Sequence, residues 1–85
     1  MIAQRLRPHR PGAHLTRTGR ITVVQESRFR LVDDTGVGYL FTLGRFSRTD
    51  ATQLARWLAA GARVTVAYSG LPDMGAVAHH VRVET

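Results

Sequence analysis

No cysteine and no lysine occur among the 85 residues. The first absence excludes disulfides and thiolate metal centres, so a domain this small lacks both staples. A chain of this length buries only about 60–65 % of the surface its unfolded form exposes, and one well-closed core must suffice. A barrel is one such solution. The second absence leaves arginine as the sole permanent cation on the side chains, twelve in all. Its planar fork suits bidentate contact with phosphate, although a coding bias toward arginine and alanine gives the same composition. Long apolar runs are missing too, and nothing approaches the roughly 20 residues that span a bilayer as a helix. The opening "MIAQRLRPHRPGAH" has arginines with no apolar segment behind them, unlike a secretory leader. The expectation is a soluble, cytoplasmic protein with no membrane partner.

Acidic residues are absent from the first 20 positions, which hold Arg5, Arg7, Arg10, Arg17 and Arg20. Residues 21–85 set seven arginines against six acids, so the net charge of +6 is concentrated at the N-terminus. Pro8, Pro11 and Gly12 break any periodicity there. Residues 1–17 read as a basic extended arm and residues 18–85 as a single domain. At 44 % hydrophobic residues, that domain has enough apolar material to fold.

From Ile21 onward the pattern has a period of two, the mark of half-buried strands. Ile21, Val23, Phe29 and Leu31 share one parity, and Thr22, Glu26, Arg28 and Arg30 the other. The polar Gln25-Glu26-Ser27 interrupts them, giving strands at about 18–25 and 28–33. Asp33-Asp34-Thr35-Gly36 then fits a type I turn closed by a left-handed glycine, the usual three-residue hairpin with a bulge. That register sets Leu31 opposite Tyr39 and Phe29 opposite Phe41, with Leu43 following on the same face. It gathers those apolar residues beside Ile21 and Val23, and leaves Arg28, Arg30, Leu40 and Thr42 on the other face with Val24 and Val32. A slip of one residue would reverse the faces.

"SRTDATQLARWLAAG" reads as a helix capped by Thr49 or Asp50 and ended by Gly61, with an apolar stripe Ala51-Leu54-Ala55-Leu58. Trp57 belongs against the end of the core. "ARVTVAYS" is a strand with Val64, Val66 and Tyr68 inward. "GLPDMG" is a loop, and "AVAHHVRV" a last strand with Val77, Val81 and Val83 inward. The order is β-β-β-α-β-β. Carried by "GRITVV", "RFRLVDDTG", "YLFTL" and "ARVTVAYSG", it resembles the OB-fold over residues 18–84, a five-stranded Greek-key barrel whose helix lies between the third and fourth strands. An SH3-like barrel is the alternative, although a ten-residue helix before the fourth strand fits it less well.

Asp34-Thr35-Gly36 is also the triplet of aspartic proteases, in which paired carboxylates share a proton. A second carboxylate at Asp33 and ordinary turn chemistry argue for the hairpin instead. Gly36, Gly38 and Gly44 run into a strand and not into a helix, so they form no phosphate loop. His79 and His80 are adjacent in a strand and point to opposite faces, while His9 and His14 lie in the arm; no metal site is expected. Ser27, Ser47 and Ser69 sit in no nucleophile motif. No catalytic residue and no cofactor motif is found, and the protein reads as non-enzymatic.

The resemblance implies ligand binding on the face of the second and third strands, flanked by the Gln25–Ser27 turn and the Gly70–Gly75 loop. The expected partner is single-stranded DNA or RNA, bound weakly and without sequence preference. Arg5, Arg7, Arg10 and Arg17 would neutralise phosphates, and Arg28, Arg30, Leu40 and Thr42 would guide the strand. The competing expectation is a protein partner docked on the same outer face. With Tyr39 and Phe41 turned inward, an aromatic stacking platform is missing from that face.

Overall fold

A computed structural model describes residues 15–71 and 75–84. The arm's Arg5, Arg7 and Arg10, its histidines, and Asp73 lie outside the described residues. The chain forms β1 (Leu15–Gln25), β2 (Arg28–Asp33), β3 (Gly38–Leu43), α1 (Ala51–Ala60), β4 (Arg63–Ser69) and β5 (Ala76–Val83). The order is the expected β-β-β-α-β-β. The strands close a barrel in the sequence β1-β2-β3-β5-β4, with β1 returning to β4. Every pairing is antiparallel except β3 with β5. The barrel begins earlier than the sequence suggests: residues 15–17, Arg17 among them, are strand and not arm.

β1 is long because it serves two partners. Leu15 to Arg20 pair with β4, and Gly19 to Gln25 pair with β2. Gly19 belongs to both ladders. A side chain there would begin 2.2 Å from Val32 O, a backbone atom that cannot move aside. The β2–β3 hairpin has the expected register, Leu31 opposite Tyr39 and Phe29 opposite Phe41. Gly36 N–H closes the turn on Asp33 O at 3.0 Å, and Gly36 has φ 89°, in the left-handed region that glycine tolerates.

Phe29, Leu31, Phe41, Val64, Val66 and Tyr68 fill the interior with Ile21 and Leu54. Phe41 stands centrally, its ring centroid 5.3 Å from that of Phe29 and 5.1 Å from that of Tyr68. α1 covers one part of this core through Leu54, with Trp57 and Leu58 half-buried beside it. Ala55, expected in that stripe, is exposed; Trp57, with far more apolar surface, takes the inward position. The helix starts at Asp50, whose carboxylate accepts from Gln53 N–H while Gln53 Oε1 accepts from Asp50 N–H. It ends at Gly61 in the left-handed conformation, φ 65°. Just ahead of it, the buried Thr49 hydroxyl accepts from Val81 N–H at 3.2 Å and donates to Val81 O at 3.3 Å.

Two bulges overturn expected orientations. Ile21 pairs with Leu31 but Val23 pairs with Arg30, so Thr22 is the inserted residue. The extra residue reverses everything after it: Val23 is 50 % exposed, and Val24 packs against the core. On β5, Tyr68 pairs with Ala78 and Ala67 with His80, leaving His79 as the insertion. Ala76, Ala78 and Val81 therefore face inward and Val77 outward, while Val83, on the side of Val81 and paired with Val64, is 38 % exposed at the end of the strand. Volume gives the reason. Ala76 pairs with Phe41 and Ala78 with Tyr68, and small residues opposite large rings fit a narrow barrel where two large ones do not. Ala78→Val thus lowers stability by about 1–3 kcal/mol despite its higher strand propensity, read as a lower urea midpoint at unchanged m-value.

Candidate functional site

An open groove of about 580 Å³ crosses the outer face of β1, β2 and β3. Two cross-strand rows form it. Val23 pairs with Arg30 and Arg30 with Leu40; Gln25 pairs with Arg28 and Arg28 with Thr42. Gly75, from the β4–β5 loop, completes the lining with the buried Phe29 and Phe41. The four barrel-face residues expected from sequence, Arg28, Arg30, Leu40 and Thr42, stand together here. Gln25 and Gly75 belong to the two flanking connections that the resemblance implies, whereas Val23 is an addition. Alternation sends Val23 inward, and only the Thr22 bulge brings it out.

Arg30 lies flat across the sheet. Its Nη1 donates to Thr22 Oγ1 on β1 at 3.4 Å, and its guanidinium reaches over Gly38 on β3, where a side chain would come within 2.5 Å. Gly38 makes room for it. Arg28 is exposed at the end of the hairpin that turns through Glu26 and Ser27. Among the described residues, neither arginine has an ion-pair partner. Glu26 adjoins the groove in that turn with φ 58°, a left-handed conformation that a side chain makes costly.

Arg17 does not join this face. It pairs with Val66 on the inward side, with its guanidinium carbon 4.5 Å from the Tyr39 ring centroid and its Nε buried without a hydrogen-bond partner. Tyr39 in turn is half-buried and donates its hydroxyl to Asp33 Oδ2 at 3.1 Å. The Asp34-Thr35-Gly36 triplet is an exposed turn, as its chemistry suggests. Asp33 Oδ1 accepts from Thr35 N–H, Thr35 Oγ1 and Val37 N–H. Those bonds, that of the Thr35 hydroxyl first, pull the Asp33 carboxyl down to about 2. Asp34 is ion-paired with Arg63 on β4, which lowers its pKa. Desolvation, and then the bond to Asp33, push the Tyr39 hydroxyl up.

His80 is exposed; His79 is half-buried and bonded to Ser69 Oγ at 2.7 Å. Among the described residues no three His, Asp or Glu side chains gather as a metal-binding group, and no helix is long and apolar enough to cross a membrane. No family model, no curated protein and no solved structure matches this chain.

A carboxyl held near 2 instead of the ordinary 3.8 stabilises the fold above the ordinary value and loses that contribution as pH falls through about 2. The urea midpoint of the wild-type chain should therefore fall as pH drops from about 4 toward 2. Asp33→Asn, which cannot be protonated there, should show a shallower decline. Parallel declines would mean that the carboxylate network does not form.

Proposed function

We propose that this barrel binds single-stranded nucleic acid, weakly and without sequence preference, across the outer face of β1, β2 and β3. The strand order, the parallel β3–β5 closure and the helix between β3 and β4 support reading the barrel as OB-like, and such barrels use the β2–β3 face for oligonucleotides. The observation that carries the proposal is the pair of guanidiniums, Arg28 and Arg30, side by side along one groove with no carboxylate partner among the described residues. Guanidinium groups meet phosphates and also stack on bases. Leu40, opposite Arg30, is 54 % exposed and offers an apolar rest beside the pair. The burial of Phe41 removes a ring from that face, which favours loose guidance over base readout. Arg5, Arg7 and Arg10 add phosphate contacts from the N-terminal side.

Fluorescence anisotropy with short DNA and RNA strands, titrated with salt, tests this. Every phosphate that the protein no longer neutralises makes the slope of log affinity against log salt shallower by about 0.7, so Arg28→Ala with Arg30→Ala should reduce it by about 1.4. Arg5, Arg7 and Arg10 changed together to alanine should reduce it further. Glu26→Gly relieves the left-handed strain and removes the acid beside the groove, so affinity should rise without loss of stability. No binding to any strand at low salt would end the proposal. The second reading, a protein-docking face, draws on the exposed Val23 and Leu40. It requires a partner whose binding is abolished by Leu40→Asp and barely depends on salt.

A further inference from the structure

The outer face continues past the groove. Thr42 pairs with Val77 across the parallel β3–β5 junction, and Val77 is 39 % exposed. Beyond it β3 leaves the sheet at Gly44, whose N–H donates to Ala78 O at 2.8 Å. A side chain on Gly44 would lie 3.2 Å from both Ala78 O and Val77 Cγ1. The glycine therefore lets the chain pass closely over the outside of β5. Ser47 N–H then closes a tight turn on Gly44 O at 3.0 Å. That turn carries Phe46 outward, 91 % exposed. With Arg48, His79 and His80, Phe46 lines a shallow cleft of about 340 Å³. The β5 bulge at His79 brings that ring to the cleft, and the bond to Ser69 helps to hold it.

Phe46 adds nothing to the core, and Arg45 and Arg48 stand on either side of it in the chain. Neither arginine has an ion-pair partner among the described residues, and no acid lies between Gly44 and Thr49. A bare ring flanked by unpaired cations suits a flat, apolar base carried on a charged backbone. Building on the nucleic-acid reading above, we infer that this turn is a second contact for the same strand: Phe46 stacks on a base, and Arg45 and Arg48 meet the adjoining phosphates. The strand then runs from Arg28 and Arg30 across Val77 to Phe46. The platform missing from the β2–β3 face is supplied by the β3–α1 connection. Any base presents a π-face, so such a platform is compatible with sequence tolerance.

The test uses the full chain with oligonucleotides of about 12 and about 4 residues, a long and a short length within the range of single-barrel site sizes. A 2-aminopurine is placed at successive positions. Phe46→Ala should weaken the longer strand about tenfold, within the range of one base–aromatic stack. It should also abolish fluorescence quenching at one position near an end of the strand. The shorter strand, which fills the groove alone, should change less than about twofold if Phe46 is a separate contact. Phe46→Trp should restore both affinity and quenching. Phe46 packs on no core residue, so thermal melts should be superimposable across the variants. Wild-type binding that falls with the Arg28 and Arg30 substitutions yet ignores Phe46→Ala would overturn this inference and leave the groove reading standing. Absence of wild-type binding removes both. A protein partner released by Phe46→Ala, while oligonucleotide affinity is unchanged, would assign the turn to protein docking and also overturn it.

Discussion

The turn at Asp33 governs the rest of the molecule. One carboxylate gathers the Thr35 amide, the Thr35 hydroxyl, the Val37 amide and, through its second oxygen, the Tyr39 hydroxyl. That set of bonds fixes a bulged hairpin, and the hairpin fixes which residues of β2 and β3 face inward. With Phe29 opposite Phe41, both rings enter the core, and Arg28 and Arg30 are left outside. The other register would expose the rings and bury the guanidiniums, at a desolvation cost of several kcal/mol per ion. The core and the groove are two faces of the same pairing decision.

Much of this was legible from residue types with a local meaning. Asp33 and Gly36 define a turn, Asp50 and Gly61 mark the helix ends, and alternation locates the strands. The four barrel-face residues Arg28, Arg30, Leu40 and Thr42 followed directly. What alternation cannot register is an inserted residue. The bulges at Thr22 and His79 leave no mark in hydrophobicity, yet they turn Val23 and Val77 outward and Val24 and Ala78 inward. On β5, alternation read from hydrophobicity alone predicts the valines inward. The barrel selects on volume as well, and the alanines stand opposite the two rings. Charge groups Arg17 with the arm, but its strand position and the Tyr39 ring turn it to the inward side, half-buried.

Charge counted along the chain also misleads. Residues 21–85 are nearly neutral, but the acids are not free to offset the arginines on the outer face. Asp33 is held by its own turn, Asp34 by Arg63, Asp50 by the helix N-terminus, and Glu84 by Thr65 and Arg82. Of the acidic side chains among the described residues, Glu26 alone remains beside the groove. The outer face is consequently more positive than its composition suggests. At the ionic strength of a cell, fields beyond about 8 Å are screened, so local pairing matters more than net charge.

Thr49 has a consequence for how the barrel avoids its own kind. β3 accompanies β5 only from Ala76 to Ala78, and past that point the free side of β5 would present the Val81 backbone to any passing strand. A single hydroxyl, bonding both groups, occupies that vacancy as a neighbouring chain otherwise could. Because the hydroxyl belongs to the residue just before the helix cap, the start of α1 and the open side of β5 are tied to neighbouring positions in the chain. Were that hydroxyl drawn away, the Val81 amide and carbonyl would be left as an unpaired strand edge, the kind that invites another chain to pair.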